Sequence, residues 1–103
     1  MDLADVTLET FEPLLGTTFE LQVSDAEGAR HALGLELRAA EPSPAPPGDR
    51  GRPPFSLMFR GPADLQLPQA TYSLAHAELG TVELFLVPVG RGADGVDYEA
   101  VFT

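Results

Sequence analysis

The chain contains no cysteine, no tryptophan and no lysine, and only two histidines. Without cysteine there is no disulfide, no thiolate metal site and no thiol nucleophile. Without lysine there is no Schiff base and no phosphate-binding P-loop. The six basic residues are all arginine (Arg30, Arg38, Arg50, Arg52, Arg60 and Arg91), and they stand against 16 acids, for a formal charge of −10. Such a surplus repels phosphate backbones, so no nucleic-acid partner is expected, and anionic membrane surfaces are disfavoured for the same reason. No apolar run approaches the roughly 20 residues of a membrane-spanning helix, so membrane insertion is not expected. Met1 to Val6 carries two aspartates and no basic residue, which does not read as a secretory signal. The expected location is cytoplasmic by default, with extracellular assembly by a signal-less route as the alternative.

What is present suffices for one core. A chain of 103 residues with 44% hydrophobic content reads as a single domain over 1–103. Thr7 to Gly16 reads as a short helix with Thr7 as its cap; Phe11, Leu14 and Leu15 have the spacing of one helical face, and Pro13 shortens or kinks it. From Thr17 the apolar period changes to two. Phe19, Leu21 and Val23 alternate with Glu20, Gln22 and Ser24, and Leu33, Leu35 and Leu37 alternate with Gly34, Glu36 and Arg38. Asp25 to Gly28 supplies the turn of a hairpin between them. Glu41 to Pro54 holds six of the ten prolines and no large apolar side chain, so it is expected to be a proline-rich surface loop. Further strands are expected at Phe55–Arg60, Thr71–Ala75, Thr81–Val89 and Val96–Phe102, with Asp94-Gly95 marking the last hairpin.

Six short strands joined by turns, with no helix-after-strand rhythm, predict a mainly β fold: a small antiparallel β-barrel or two-layer sandwich in meander order, with one short N-terminal helix at an open end. The fifth strand stands out. Val82, Leu84 and Leu86 give one apolar face and Phe85 and Val87 the other, with Met58 and Val101 sharing that second face. A strand apolar on both sides is covered twice or is part of an interface. The expected cover is the helical stripe of Phe11, Leu14 and Leu15; the alternative is another subunit. Pro88 is expected to end the strand's pairing or to place it at an edge. Arg60, at a strand end, suits either an interface or an internal ion pair.

The chemistry-bearing residues do not converge. His31 and His76 read as strand-end surface residues rather than metal ligands. Asp94, Asp97 and Glu99 surround a glycine turn without the ligand series of a calcium loop. Ser56 and Ser73 lack a nucleophile elbow. No catalytic residue, metal or cofactor is expected.

Four stretches carry a resemblance: Phe55-Ser56-Leu57-Met58-Phe59-Arg60-Gly61-Pro62, Leu67-Pro68-Gln69-Ala70-Thr71-Tyr72, Glu78-Leu79-Gly80 running on to Glu83-Leu84-Phe85-Leu86-Val87-Pro88-Val89-Gly90, and Tyr98-Glu99-Ala100-Val101-Phe102. With Phe11 to Phe19 they resemble a family of small bacterial proteins that share a domain of unknown function. The resemblance implies company with phage-tail-collar-like proteins, and hence a phage-tail-like or cell-surface fibre assembly; it carries over no catalytic residue. The expectation is a non-enzymatic structural or interaction module, with a protein partner or self-association and with Met58, Arg60, Phe85, Val87 and Val101 as its contact residues. The alternative is a small-ligand-binding barrel with a cavity lined by Phe19, Leu37, Tyr72 and Tyr98.

Overall fold

The computed structural model describes residues 7–24, 27–42 and 54–102. A single helical turn, α1 (Leu8–Phe11), runs into a 3-10 turn (Glu12–Leu14). Six strands follow: β1 (Thr18–Ser24), β2 (Arg30–Pro42), β3 (Phe55–Gly61), β4 (Ala70–His76), β5 (Gly80–Gly92) and β6 (Gly95–Phe102). They close an antiparallel barrel in the order β1-β2-β3-β6-β5-β4.

The helix is shorter than the expected 7–16. Pro13 has no N–H to continue an α ladder, and Gly16 ends the segment at φ 84°. At its start the Thr7 N–H donates to Thr10 Oγ1 at 3.1 Å and the Thr10 N–H donates to Thr7 O at 3.0 Å.

The strands form as their alternation predicts, but the order is not a meander. Two three-stranded meanders, β1-β2-β3 and β4-β5-β6, are joined by residues 62–69, and β3 pairs with β6 over seven residue pairs from Phe55↔Phe102 to Gly61↔Val96. Sequence-adjacent β3 and β4 are therefore not neighbours. β2 runs on through Glu41 and Pro42, which pair with Ser56 and Phe55, so the strand takes in the first two residues expected in the loop; residues 43–53 of that loop lie outside the described residues.

Pro88 does not end β5. Its missing N–H is absorbed by a bulge: Pro88 pairs with Tyr98 and Gly90 with Asp97, which leaves Val89 unpaired and half exposed. The strand then continues to Gly92, and the hairpin turns at Ala93-Asp94, one residue earlier than expected.

Alternate side chains from all six strands fill the barrel. Phe19, Leu35, Leu37, Phe55, Phe59, Leu74, Leu86, Val96 and Tyr98 have no exposed surface. Phe55 stacks on Phe102 with ring centroids 4.5 Å apart, and Phe11 from the helical turn closes over both at 6.0 and 5.6 Å. Phe11 and Leu14 thus plug one mouth of the barrel. At the other mouth the 62–69 connection inserts Leu67, whose N–H donates to the Tyr98 hydroxyl at 2.9 Å.

Candidate interaction site

The outer face of β3, β6 and β5 carries most of the residues singled out from sequence. Met58 pairs with Glu99, and Glu99 with Val87, so the three lie side by side on one outward row. Two residues further along, Val101 pairs with Ser56 and Phe85 pairs with Thr71. Phe85 is 50% exposed and Val101 57%, whereas Met58 and Val87 are half-buried. The helix does not cover this face, which corrects the expectation that it would. Its single turn sends Phe11 and Leu14 into the barrel mouth, and Leu15, past the end of the 3-10 turn, points outward. The result is an apolar stripe with one carboxylate, Glu99, in its middle.

Arg60 borders the stripe but is already engaged. Its Nε donates to Asp97 Oδ1 at 2.9 Å across the β3–β6 pair Arg60↔Asp97. That hydrogen bond and the Asp97 charge hold the guanidinium above its ordinary value, so it stays charged.

The barrel closes weakly at one seam. β1 pairs with β2 over seven residues and β4 with β5 over seven, yet β1 and β4 share the single pair Glu20↔Ala75. The next pair in register, Gln22 and Ser73, does not form; both instead line a cavity of about 270 Å³. Gln22 and Tyr72 also line a larger cleft of about 570 Å³, walled by Val23, His31 and the Leu65–Pro68 segment. Sequence reading missed this seam, because no local pattern reports how two strands far apart in the chain diverge. Tyr72 donates its hydroxyl hydrogen to Pro68 O at 2.5 Å, and burial, with a lesser contribution from Tyr98, raises the phenol above its usual value. Of the four residues expected to line an internal cavity, Tyr72 lines this cleft, while Phe19, Leu37 and Tyr98 are packed in the core.

The polar residues are dispersed. His31 sits opposite Val23 at one end of β1, and His76 meets Thr17 just before the other end; six residues of strand separate Thr17 from Val23, about 20 Å. His31 is exposed, as expected, but His76 is 8% exposed, which corrects its reading as a surface residue. Its ring packs on Phe19 with centroids 4.6 Å apart. Ser56 on β3 and Ser73 on β4 face away from the core, opposite Val101 and Glu83 respectively. Among the described residues no three His, Asp or Glu side chains gather in a metal-holding group.

The family model described as a domain of unknown function, DUF6916, matches residues 6–102, and the chain belongs to that family. No curated protein and no solved structure matches the chain.

Proposed function

We propose that this DUF6916 domain is a non-enzymatic interaction module that docks onto a protein partner through the outer face of β3, β6 and β5. The observation that supports this reading is the stripe of Met58, Phe85, Val87 and Val101, which the fold leaves partly open to solvent. Burying a half-exposed aromatic and three aliphatic side chains under a partner removes apolar area that the barrel itself cannot cover. Glu99 sets the chemistry of the partner. A carboxylate inside an apolar patch is stabilised by an arginine or lysine from the facing surface and opposed by a like charge. A second copy of this chain brings −10 of its own charge, so the reading favours a different protein with a basic residue amid an apolar patch. The family resemblance suggests the setting, a phage-tail-like or cell-surface fibre assembly.

Site-specific photo-crosslinking in the native host tests it. A photoreactive residue at position 85 should give one discrete adduct that a residue at position 30, an exposed site on β2, does not. Phe85→Glu should abolish a matching adduct formed from position 101 while circular dichroism stays unchanged. A dimer in light scattering that Phe85→Glu dissociates would replace the basic partner with a second copy. Equal adducts from positions 85 and 30 would overturn the reading.

A further inference from the structure

The seam between β1 and β4 lies apart from the outer apolar stripe and differs from every other strand junction of the barrel. Each strand is fully paired on its other side, and across the seam only Glu20↔Ala75 joins them. Strand edges without a neighbour present rows of N–H and C=O groups that an extended chain satisfies. The two cavities share Gln22 and Tyr72 in their walls and follow one another along the strands from Glu20 and Ala75 toward the barrel mouth, a succession that marks out a groove. Val23, Leu65, Leu67 and Pro68 give the larger cavity apolar walls. Glu20 lines the smaller cavity and Glu83 stands opposite Ser73 beside it; among the described residues no arginine lines either cavity.

We infer that this groove accepts a short extended peptide segment of a partner protein, main chain against the free edges of β1 and β4, apolar side chains toward Val23 and Leu67, and basic side chains toward Glu20 and Glu83. An extended chain is favoured over a compact ligand because the groove runs along two incompletely paired strands. A basic one is favoured because, among the described residues, Glu20 is the only carboxylate lining the two cavities and no arginine stands against it, in a chain of formal charge −10.

The test is a titration of the full ¹⁵N-labelled chain with a blocked pentapeptide of sequence Arg-Val-Thr-Val-Arg. Amide shifts should concentrate at Gln22, Val23, Tyr72 and Ser73, with slowed hydrogen exchange at the same positions. Alternate N-methylation of the peptide removes main-chain donors and should weaken binding by about tenfold or more. Glu20→Arg should weaken it as well, and the uncharged Phe85→Ser should leave it unchanged, which separates this site from the outer stripe. Absence of seam shifts up to about 1 mM peptide would overturn the inference. Equal binding of the N-methylated peptide would overturn strand pairing, and shifts at the same amides with indole but not with peptide would make the groove a small-molecule site instead.

Discussion

Thr17 Oγ1 lies 2.9 Å from His76 Nε2, tying the residue before β1 to the last residue of β4. The geometry assigns the ring's tautomer. Nδ1 accepts from the Glu78 and Leu79 N–H groups at 3.0 and 3.3 Å, so the proton sits on Nε2 and is donated to Thr17. The threonine hydroxyl in turn donates to Leu14 O at 2.5 Å. One buried imidazole thus joins the β4–β5 turn, the start of β1 and the end of the 3-10 turn. With Glu20↔Ala75 it holds the β1–β4 seam shut at the helix end, while the seam opens toward the other mouth.

Replacing Thr17 with valine keeps the shape and removes the hydroxyl, leaving the His76 Nε2–H without its partner, while Leu14 O keeps the Thr17 backbone N–H at 3.0 Å. We expect a loss of about 1–3 kcal/mol in urea unfolding, with Thr17→Ser recovering most of it. The imidazole ¹⁵N shifts of the wild type should report an unprotonated Nδ1 and a protonated Nε2. The opposite pattern, or an unchanged unfolding midpoint in Thr17→Val, would refute the relay.

The inner and outer aromatics should respond differently to truncation. Phe59 is fully buried and meets Phe19 edge-on at 5.3 Å. Phe59→Ala should cost about 3–5 kcal/mol through lost burial and a cavity. Phe85 is half exposed, so Phe85→Ser should cost only about 1 kcal/mol or less. Comparable losses for the two, measured by chemical denaturation, would mean that the outer face supports the fold rather than a partner.

Alkaline stability should carry a contribution from Tyr72. Its folded-state pKa is raised above the ordinary phenol value, chiefly by burial. A raised pKa means that the folded chain holds the phenolic proton more tightly than the unfolded chain does. The associated stability is fully present below about pH 10 and is lost as pH rises through the folded value. Tyr72→Phe should therefore flatten part of the decline in unfolding free energy as pH rises above about 10. Parallel curves for wild type and variant would remove the contribution.

The inward alternation was legible residue by residue: Phe19, Leu21, Leu33, Leu35, Leu37, Leu57, Phe59, Val82, Leu84 and Leu86 all face the core as their period of two requires. Strand order was not, because β3–β6 and β1–β4 pairings join segments about 40 and 55 residues apart and leave no local signature. Pro88 was misleading, since a one-residue bulge accommodates it without ending the strand. The exposure of Phe85 was hidden by the apolar stripe of the N-terminal segment, which fitted a covering helix as well as a plug; Pro13 decides between them by limiting the α-helix to one turn. The seam groove had no signal at all, as it arises from the divergence of two strands that look ordinary individually.

The β5–β6 hairpin offers a paired backbone test. Gly95 adopts φ 145°, and a β-carbon there would lie 2.3 Å from Gly61 O and 2.9 Å from Arg60 Cγ. Neither obstacle is relieved cheaply: the carbonyl belongs to the β3 backbone, and the arginine stem is held by the Arg60–Asp97 ion pair at 2.9 Å. Gly92, its partner across the turn, has no atom within 4 Å of the equivalent position and no positive φ. Gly95→Ala should therefore destabilise the barrel by more than about 1 kcal/mol, whereas Gly92→Ala should be neutral or slightly stabilising through reduced freedom of the unfolded chain. Because Gly95 abuts Arg60, the Gly95→Ala variant should also disturb the ¹⁵Nε resonance of Arg60. A Gly95→Ala chain as stable as the wild type would show that β6 starts with a different backbone geometry and that the β3–β6 register at Gly61↔Val96 is not as described.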